Sequence, residues 1–243
     1  LKETPNLQNE HSTLITIAVL GGTGKEGSGL AMRWAKSGYR VIVGSRDGAR
    51  AAEKAQEFNA QMGASYLTGM ENRAAAEAAD IVVMTVPYDA HTLTLELVRD
   101  AVKGKILVDV TVPLKPPQIR TVFIPESKSA SLAAQALLGT GTRVVTAFQN
   151  VSAVHLQDAD HAVACDVLVC GDDDMAKNEV IKLCEAIGLR GLDAGPLANS
   201  VAVEALTPVL LWLNKRYKVK GAGIVITGIE SNPEISNPEV TRS

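Results

Sequence analysis

One stretch constrains this chain of 243 residues more than any other. An apolar, largely β-branched run, Leu14 to Leu20, breaks at once into Gly21-Gly-Thr-Gly-Lys-Glu-Gly27. Such a run ended by glycines reads as a buried strand. Gly22-Thr23-Gly24-Lys25-Glu26-Gly27 matches the spacing GxGxxG, and a helical pattern follows from Gly29 to Ser37, with Gly38 as its stop. The glycine spacing alone is a weak signal, because glycine-rich turns are common. Placed directly between a strand and a helix, it meets the context that dinucleotide binding demands. There the glycines let the backbone turn tightly against a pyrophosphate, and free N–H groups at the helix start receive its charge. The loop lacks the Gly-Lys-Ser/Thr ending of a P-loop, which disfavours nucleoside-triphosphate hydrolysis.

The first half of the chain repeats this alternation. Strand patterns at Arg40 to Gly44, Asp80 to Val86, Lys105 to Val110 and Arg143 to Phe148 are interleaved with helical patterns. Those helices fall at Ala49 to Gln61, Ala74 to Ala79, Ala90 to Val102 and Ser129 to Leu138. The strands are continuous apolar runs, so both faces of the sheet are covered. Residues 14–148 are therefore expected to form an α/β fold, a Rossmann-type doubly wound parallel sheet that binds NADP. A proline-rich loop from Val112 to Pro125 interrupts the rhythm and is long enough to be functional.

Beyond it the sequence predicts a strand at Asp166 to Cys170, a helix at Asp173 to Ile187 and a short strand at Leu189 to Leu192. A long apolar helix, Ser200 to Tyr217, and a closing strand, Ala222 to Thr227, complete a smaller C-terminal α+β unit over 149–229. This unit is expected to make dimer contacts. Residues 1–13 read as a tag-like or disordered tail, and 230–243, with two Asn-Pro steps, as a flexible one.

Composition narrows the partners. With 24 basic and 27 acidic side chains the formal charge is −3, which offers no basic excess for nucleic acid. No apolar run reaches the roughly 18–20 residues of a membrane span, and the start lacks the layout of a secretion signal. The expectation is therefore no membrane and a cytoplasmic protein. Cys165, Cys170 and Cys184 form no CxxC pair and read as small buried hydrophobes of a reducing compartment. No Cys/His cluster has metal-ligand spacing.

The end of the second strand bears on which dinucleotide binds. NAD sites commonly carry Asp or Glu about 20 residues beyond the glycines, to accept from the ribose hydroxyls. Here Gly44-Ser45-Arg46 stands instead, with Arg50 one turn further on. A hydroxyl and guanidinium groups suit a 2′-phosphate, which a carboxylate would repel. Against this, the arginines could be mere solvated helix-start charges, with Asp47 left to serve NAD. Thr85-Val86-Pro87-Tyr88 and Thr111-Val112-Pro113-Leu114 close two later strands alike; they either wall the nicotinamide side or only terminate strands. Asp172, Asp173 and Asp174 stand between a strand and a helix, where acidic capping outweighs a metal site. Asp109, at an apolar strand end, reads as a satisfied polar group. The helix Ser200 to Tyr217 is apolar on every side, which calls for burial in a core or a homodimer. Lys215, Arg216, Lys218 and Lys220 read as a solvated helix end.

These residues resemble a known family, the NADPH-dependent reductases of the deazaflavin coenzyme F-420, also called F-420:NADP oxidoreductases. The resemblance is carried by AVLGGTGKEGSGLA, VIVGSR, ADIVVMTVPY, VCGDDD, and LDAGPLANS followed by VEALTP, from about Ile15 to Ile229. Related NADP-binding domains occur in some membrane ferric reductases, so the first half alone does not decide function. The resemblance implies direct hydride exchange between NADP(H) and F-420 bound face to face. It puts Gly22, Thr23, Gly24, Lys25, Glu26 and Gly27 at the pyrophosphate, and Ser45, Arg46 and Arg50 at the 2′-phosphate. Val86, Tyr88, Thr92, Leu114 and Ala153 would follow the nicotinamide side. The deazaflavin would lie near Gln149, Asn150, Asn199, Ser200 and Val201, and the match to the family is loosest at Gln149-Asn150-Val151. The basic cluster at Lys215 to Lys220 would then face the acidic tail of the deazaflavin.

No catalytic side chain is expected. Hydride transfer between two redox cofactors needs alignment and exclusion of water, while the cofactors supply the chemistry. Two other readings remain open. One is an NADP-dependent reductase of a small imine or 2-hydroxy acid, whose larger helical domain does not fit the residues left after 148. The other is a non-catalytic NADPH-sensing module, which the same nucleotide loop would serve.

Overall fold

The computed structural model describes residues 15–63, 65–158 and 161–229; both expected tails lie outside them. Five parallel strands and their crossover helices open the chain: β1 Thr16–Leu20, α1 Lys25–Lys36, β2 Arg40–Ser45, α2 Gly48–Met62, β3 Leu67–Glu71, α3 Asn72–Ala78, β4 Ile81–Met84, α4 Tyr88–Val98 and β5 Ile106–Asp109. After the proline-rich loop come α5 Ala130–Leu138, β6 Arg143–Thr146, the short α6 Ala153–Leu156, β7 Asp166–Gly171, α7 Asp174–Ala186, β8 Arg190–Asp193 and α8 Ser200–Tyr217. The eight strands form one sheet in the order β3-β2-β1-β4-β5-β6-β7-β8. Neighbours are parallel throughout except β6 and β7, which run antiparallel. The expected α/β, Rossmann-type sheet is present, and β7 and β8 continue it beyond residue 148.

Local chemistry explains where the helices begin. Asp47 accepts from the Arg50 N–H at 3.1 Å and caps α2, Ser129 Oγ accepts from Leu132 N–H at 3.0 Å and caps α5, and Asp173 accepts from Ala176 N–H at 2.7 Å and caps α7. Of the acidic run, Asp173 is the cap, as expected, while Asp172 accepts from Leu197 N–H at 2.9 Å and Asp174 pairs with Lys177; the described residues contain no cluster suited to a metal.

Continuous apolar strands produce two cores, one on each face. Ile17 and Val19 of β1 pack with Leu30, Trp34, Phe58 and Leu183, whereas Ala18 and Leu20 pack with Ala75, Leu95, Ala134 and Leu197. Trp34 is fully buried, meets Phe148 edge-on at 5.7 Å, and donates from Nε1 to the Leu183 carbonyl at 2.9 Å. One aromatic side chain therefore ties α1 to both the end of β6 and α7. Deleting such a side chain costs roughly 3–5 kcal/mol.

Two elements differ from expectation. β3 carries no apolar run, because it is an edge strand bonded only to β2. Its Gly69 is required by close approach: a Cβ there would run into the Ala51 carbonyl of α2. The closing strand expected at Ala222 to Thr227 is not formed. That segment makes one backbone bond to β7, Asp166 N–H to the Ile224 carbonyl at 2.8 Å. Its other ties come from side chains, with Asp166 Oδ2 accepting from Ile226 N–H and Arg190 donating to the Ile226 carbonyl. A strand needs a repeating ladder, and side chains have replaced it here.

Candidate functional site

A cleft of about 900 Å³ crosses the carboxyl edge of the sheet, where the chain leaves the neighbouring strands β1 and β4 for opposite faces. Ligands bind at such a switch point in open α/β sheets, and this volume lies at the upper end for small-molecule sites. Following the strand order, its lining passes from Asn72, Ser45 and Arg46 beside β2 and β3 to the glycine loop. It continues through Val86 and Tyr88 after β4 and Val112 and Leu114 after β5, and ends at Gln149 and Asn150 after β6 and the inner face of α8.

The glycine loop is held by packing. Gly24 N–H bonds the Gly21 carbonyl at 2.9 Å, and the first helical bond of α1 runs from Ser28 N–H to the Gly24 carbonyl at 2.9 Å. A Cβ on Gly22 would sit 2.7 Å from the Val19 carbonyl oxygen, and one on Gly27 would strike Thr85 Oγ1 and lie 2.9 Å from Gly22 Cα. Thr85 Oγ1 in turn donates to the Leu20 carbonyl at 2.8 Å, clasping the ends of β1 and β4. Gly22 and Gly27 thus lie behind the cleft and let α1 approach, while Thr23, Gly24, Lys25 and Glu26 line it. The first N–H groups of α1 have no intrahelical acceptor, which suits an anion. Burial pushes the Glu26 carboxyl up to about 8. The raised value favours the neutral form, which donates to a phosphate oxygen instead of repelling it.

Ser45, Arg46 and Arg50 all line the cleft. Ser45 Oγ accepts from Asp47 N–H at 3.2 Å, leaving its own hydrogen to donate. Asp47 Oδ1 accepts the α2 cap bond, and the residue is not among those lining the cleft. Among the described residues neither arginine head meets a carboxylate, which leaves two cations beside a buried hydroxyl.

Val86, Pro87, Tyr88 and Leu114 line the cleft, so the turns after β4 and β5 form walls as well as strand ends. Tyr88 stacks on His91 at 6.4 Å, and His91 Nε2 lies 2.7 Å from Asp109 Oδ2 beneath the floor. Burial disfavours charge on His91, but the Asp109 carboxylate outweighs it and holds the imidazole above its ordinary value. Asp109 also accepts from Thr111 N–H at 3.0 Å, which makes it the satisfied group expected. Ala153 lines the cleft from α6. Thr92 does not: it is exposed on the outer side of α4.

Phe148 has φ +74°, rare for an aromatic residue, and turns the chain so that Gln149 and Asn150 follow at the floor of the cleft. Gln149 Nε2 donates to the Asp109 carbonyl at 2.6 Å and Asn150 Nδ2 to the Asp166 carbonyl at 2.5 Å. Gln149 Oε1 and Asn150 Oδ1 are buried with no partner among the described residues. Two unused acceptors in a cleft fit a ligand carrying N–H or O–H donors.

Asn199, Ser200 and Val201 lie off the cleft. Asn199 Nδ2 bonds the Ala194 carbonyl at 2.6 Å, and fully buried Ser200 shares a 2.7 Å hydroxyl bond with Ser129. Their place is taken by Thr207, Leu210, Leu211 and Asn214 of α8. These stand at i, i+3, i+4 and i+7, a helical stripe readable from the sequence once α8 is known to border the site. Thr207 Oγ1 donates to the Gln149 carbonyl at 2.7 Å and fixes that stripe to the floor. Glu204, one turn earlier, accepts from Ala130 N–H at 2.7 Å and from Ser131 N–H at 3.0 Å, tying α8 to α5.

Comparisons with known proteins agree with this geometry. Residues 16–113 match the profile of the family described as NADP oxidoreductase coenzyme F420-dependent. The F420-dependent NADP reductase of Methanocaldococcus jannaschii is 43% identical over 225 residues, spanning 88% of this chain and 99% of that protein. The enzyme of the same name from Methanothermobacter thermautotrophicus is 40% identical over 223 residues, spanning 89% and 96%. A solved structure of a putative F420-dependent NADP-reductase from Arthrobacter sp. FB24 superposes with a TM-score of 0.74 at 26% identity, covering 87% of this chain and 99% of that one. On this likeness over nearly the whole length of both chains, the protein belongs to the F420-dependent NADP reductase family.

Proposed function

We propose that this chain is an oxidoreductase transferring a hydride directly between NADP(H) and coenzyme F-420. One observation carries the reading: a single cleft joins a two-arginine, hydroxyl-bearing end to a second end lined by amides, hydroxyls, aliphatic side chains and Lys220. Among the described residues, the only carboxylates lining it are Glu26, on α1, and Asp89, on α4. The β6 and α8 side contributes, among the described residues, one ionisable lining residue, Lys220, and no carboxylate, as a reaction between two redox cofactors allows.

When bound, the nicotinamide and deazaflavin supply the hydride chemistry. The chain's own residues bind and align. The start of α1 and the Glu26 carboxyl hold the pyrophosphate, and Ser45, Arg46 and Arg50 hold the 2′-phosphate. Val86, Tyr88, Leu114 and Ala153 wall the nicotinamide side and keep water away. Gln149, Asn150 and the Thr207 stripe of α8 face the acceptor.

Mixing protein, NADPH and F-420 and following the deazaflavin absorbance tests this. Bleaching that requires NADPH is expected; NADPH binding with no turnover of F-420 would favour the sensing module.

A homodimer is supported by the outer face of α8, where Val209 and Trp212 are 44% and 57% exposed. The expected burial on every side is thus left to a second subunit. Leu197–Tyr217 also meets the length and mean hydropathy (1.2) of a membrane span, contrary to the sequence expectation, but its inner face carries buried Glu204 and borders the cleft. The reading therefore keeps it in the protein, with no membrane partner. Three buried free thiols support a cytoplasmic setting. Light scattering after size exclusion showing a monomer at micromolar concentration would sink the dimer.

A further inference from the structure

We infer that Asn72 is a specificity-determining residue of the nucleotide site: it accepts a hydrogen bond from the 3′-hydroxyl of the 2′-phosphorylated adenosine ribose. This rests on the NADP(H) reading above.

Four observations converge on it. Asn72 is 1% exposed, and its Oδ1 is buried without a partner among the described residues. The residue lines the cleft together with Ser45, Arg46 and Arg50. Glu71 pairs in register with Ser45, so Asn72 stands one residue beyond the carboxyl end of β2; its Oδ1 lies 2.9 Å from where a Cβ of Gly44 would stand. Finally, Asn at a helix start usually serves as a cap, yet the N-cap of α3 is Glu71, and no side chain caps that helix. The amide therefore has no structural duty that accounts for its burial.

A reason for an amide here follows from charge. The ribose at the end of β2 needs an acceptor, and NAD sites supply a carboxylate. Beside a 2′-phosphate that carboxylate would repel the ligand. The 2′-oxygen being phosphorylated, the 3′-hydroxyl is the remaining ribose donor. A neutral amide carbonyl accepts from it without adding charge. Rotation about χ2, which is soft for Asn, turns the carbonyl to the hydroxyl.

The test is calorimetric titration with 2′,5′-ADP, its 3′-deoxy analogue and ADP. The native protein should bind 2′,5′-ADP about tenfold more tightly than the 3′-deoxy analogue, as one lost hydrogen bond to an otherwise unpaired acceptor implies. Asn72→Ala should bind the two alike, with an unchanged or higher Tm, since it removes an unpaired buried atom. Asn72→Asp, which keeps the acceptor and the size, should still discriminate the 3′-hydroxyl, but its preference for 2′,5′-ADP over ADP should fall at least about tenfold through repulsion. The inference is overturned if the native protein ignores the 3′-hydroxyl, if Asn72→Ala still discriminates it, or if Asn72→Asp keeps the native 2′-phosphate preference. Should Asn72→Ala fail to fold, the Asn72→Asp titration decides alone. Failure of the native protein to bind 2′,5′-ADP at all would instead overturn the NADP(H) reading.

Discussion

Replacing Arg46 by Ala removes one guanidinium from the nucleotide end of the cleft while leaving the fold's own bonds in place. The side chain is exposed, and the α2 cap is made by Asp47 and the Arg50 backbone. A hydrogen bond to a charged group contributes about 1.5–3 kcal/mol, and the exposed setting points to the lower figure. About 1.5 kcal/mol corresponds to roughly tenfold in Kd. Removing Arg50 as well should bring the loss towards about 100-fold, or less if both arginines share one phosphate. Calorimetric titration with NADP+, 2′,5′-ADP and NAD+ at about 0.15 M salt, repeated at about 1 M, reads this directly. Arg46→Ala should weaken both 2′-phosphorylated ligands about tenfold and leave NAD+ within about twofold, with the difference shrinking at high salt. An equal loss for NAD+ would show that the loop itself had been disturbed. Unchanged binding of 2′,5′-ADP would refute the assignment.

The glycine loop gives a second expectation. Gly27→Ala forces a methyl into Thr85 and the backbone of Gly22, so it should cost about 1–3 kcal/mol and lower Tm by roughly 2–4 °C per kcal/mol; unlike Arg46→Ala, it should weaken NADP+ and NAD+ together in the same titration. Glu204→Ala leaves the buried N–H groups of Ala130 and Ser131 unpaired, at about 1–3 kcal/mol each, and thermal melts should show a larger loss than for Glu204→Gln. Burial, aided by the Asp109 charge, pushes Glu204 up to about 7 from an ordinary 4.5. The folded protein keeps that proton after the unfolded chain has ionised, so stability should fall between those two pH values, and Glu204→Gln should flatten the slope in urea melts. NADP+ affinity should decline as pH rises through about 8, where Glu26 ionises, while Glu26→Gln stays flat; parallel slopes for the two proteins would remove Glu26 from the pyrophosphate site.

Legibility of the fold followed the burial of its strands. β1, β2, β4, β5 and β6 are covered on both faces, which leaves continuous apolar runs in the sequence. β3 left no such trace, because an edge strand under α2 needs Gly69 for contact and little apolar surface. The segment Ala222 to Thr227 has the composition of a strand, but the Asp166 and Arg190 side chains take the bonds a ladder would have used. At the site, Thr23 to Glu26, Ser45 and Arg46 line the cleft as the glycine loop and the end of β2 suggested, and Val86 and Tyr88 line it as the family resemblance implied. The acceptor side depends on how α8 crosses the sheet, a long-range fact. Hence Asn199, Ser200 and Val201 fall about two turns short of the cleft-facing stripe at Thr207 to Asn214. Asn72 was silent for the same reason, since only the pairing of β3 with β2 brings it beside Ser45.

The central claim is direct transfer between two cofactors aligned in one cleft, with no protein group carrying the hydrogen. NADPH deuterated at the transferable position of the nicotinamide tests it, with the reduced deazaflavin analysed by mass spectrometry after a single turnover in ordinary water. Full retention of one deuterium in the deazaflavin is the result expected. A reduced deazaflavin with no deuterium would contradict the account, because the hydrogen would then have passed through an exchangeable site on the protein or through solvent.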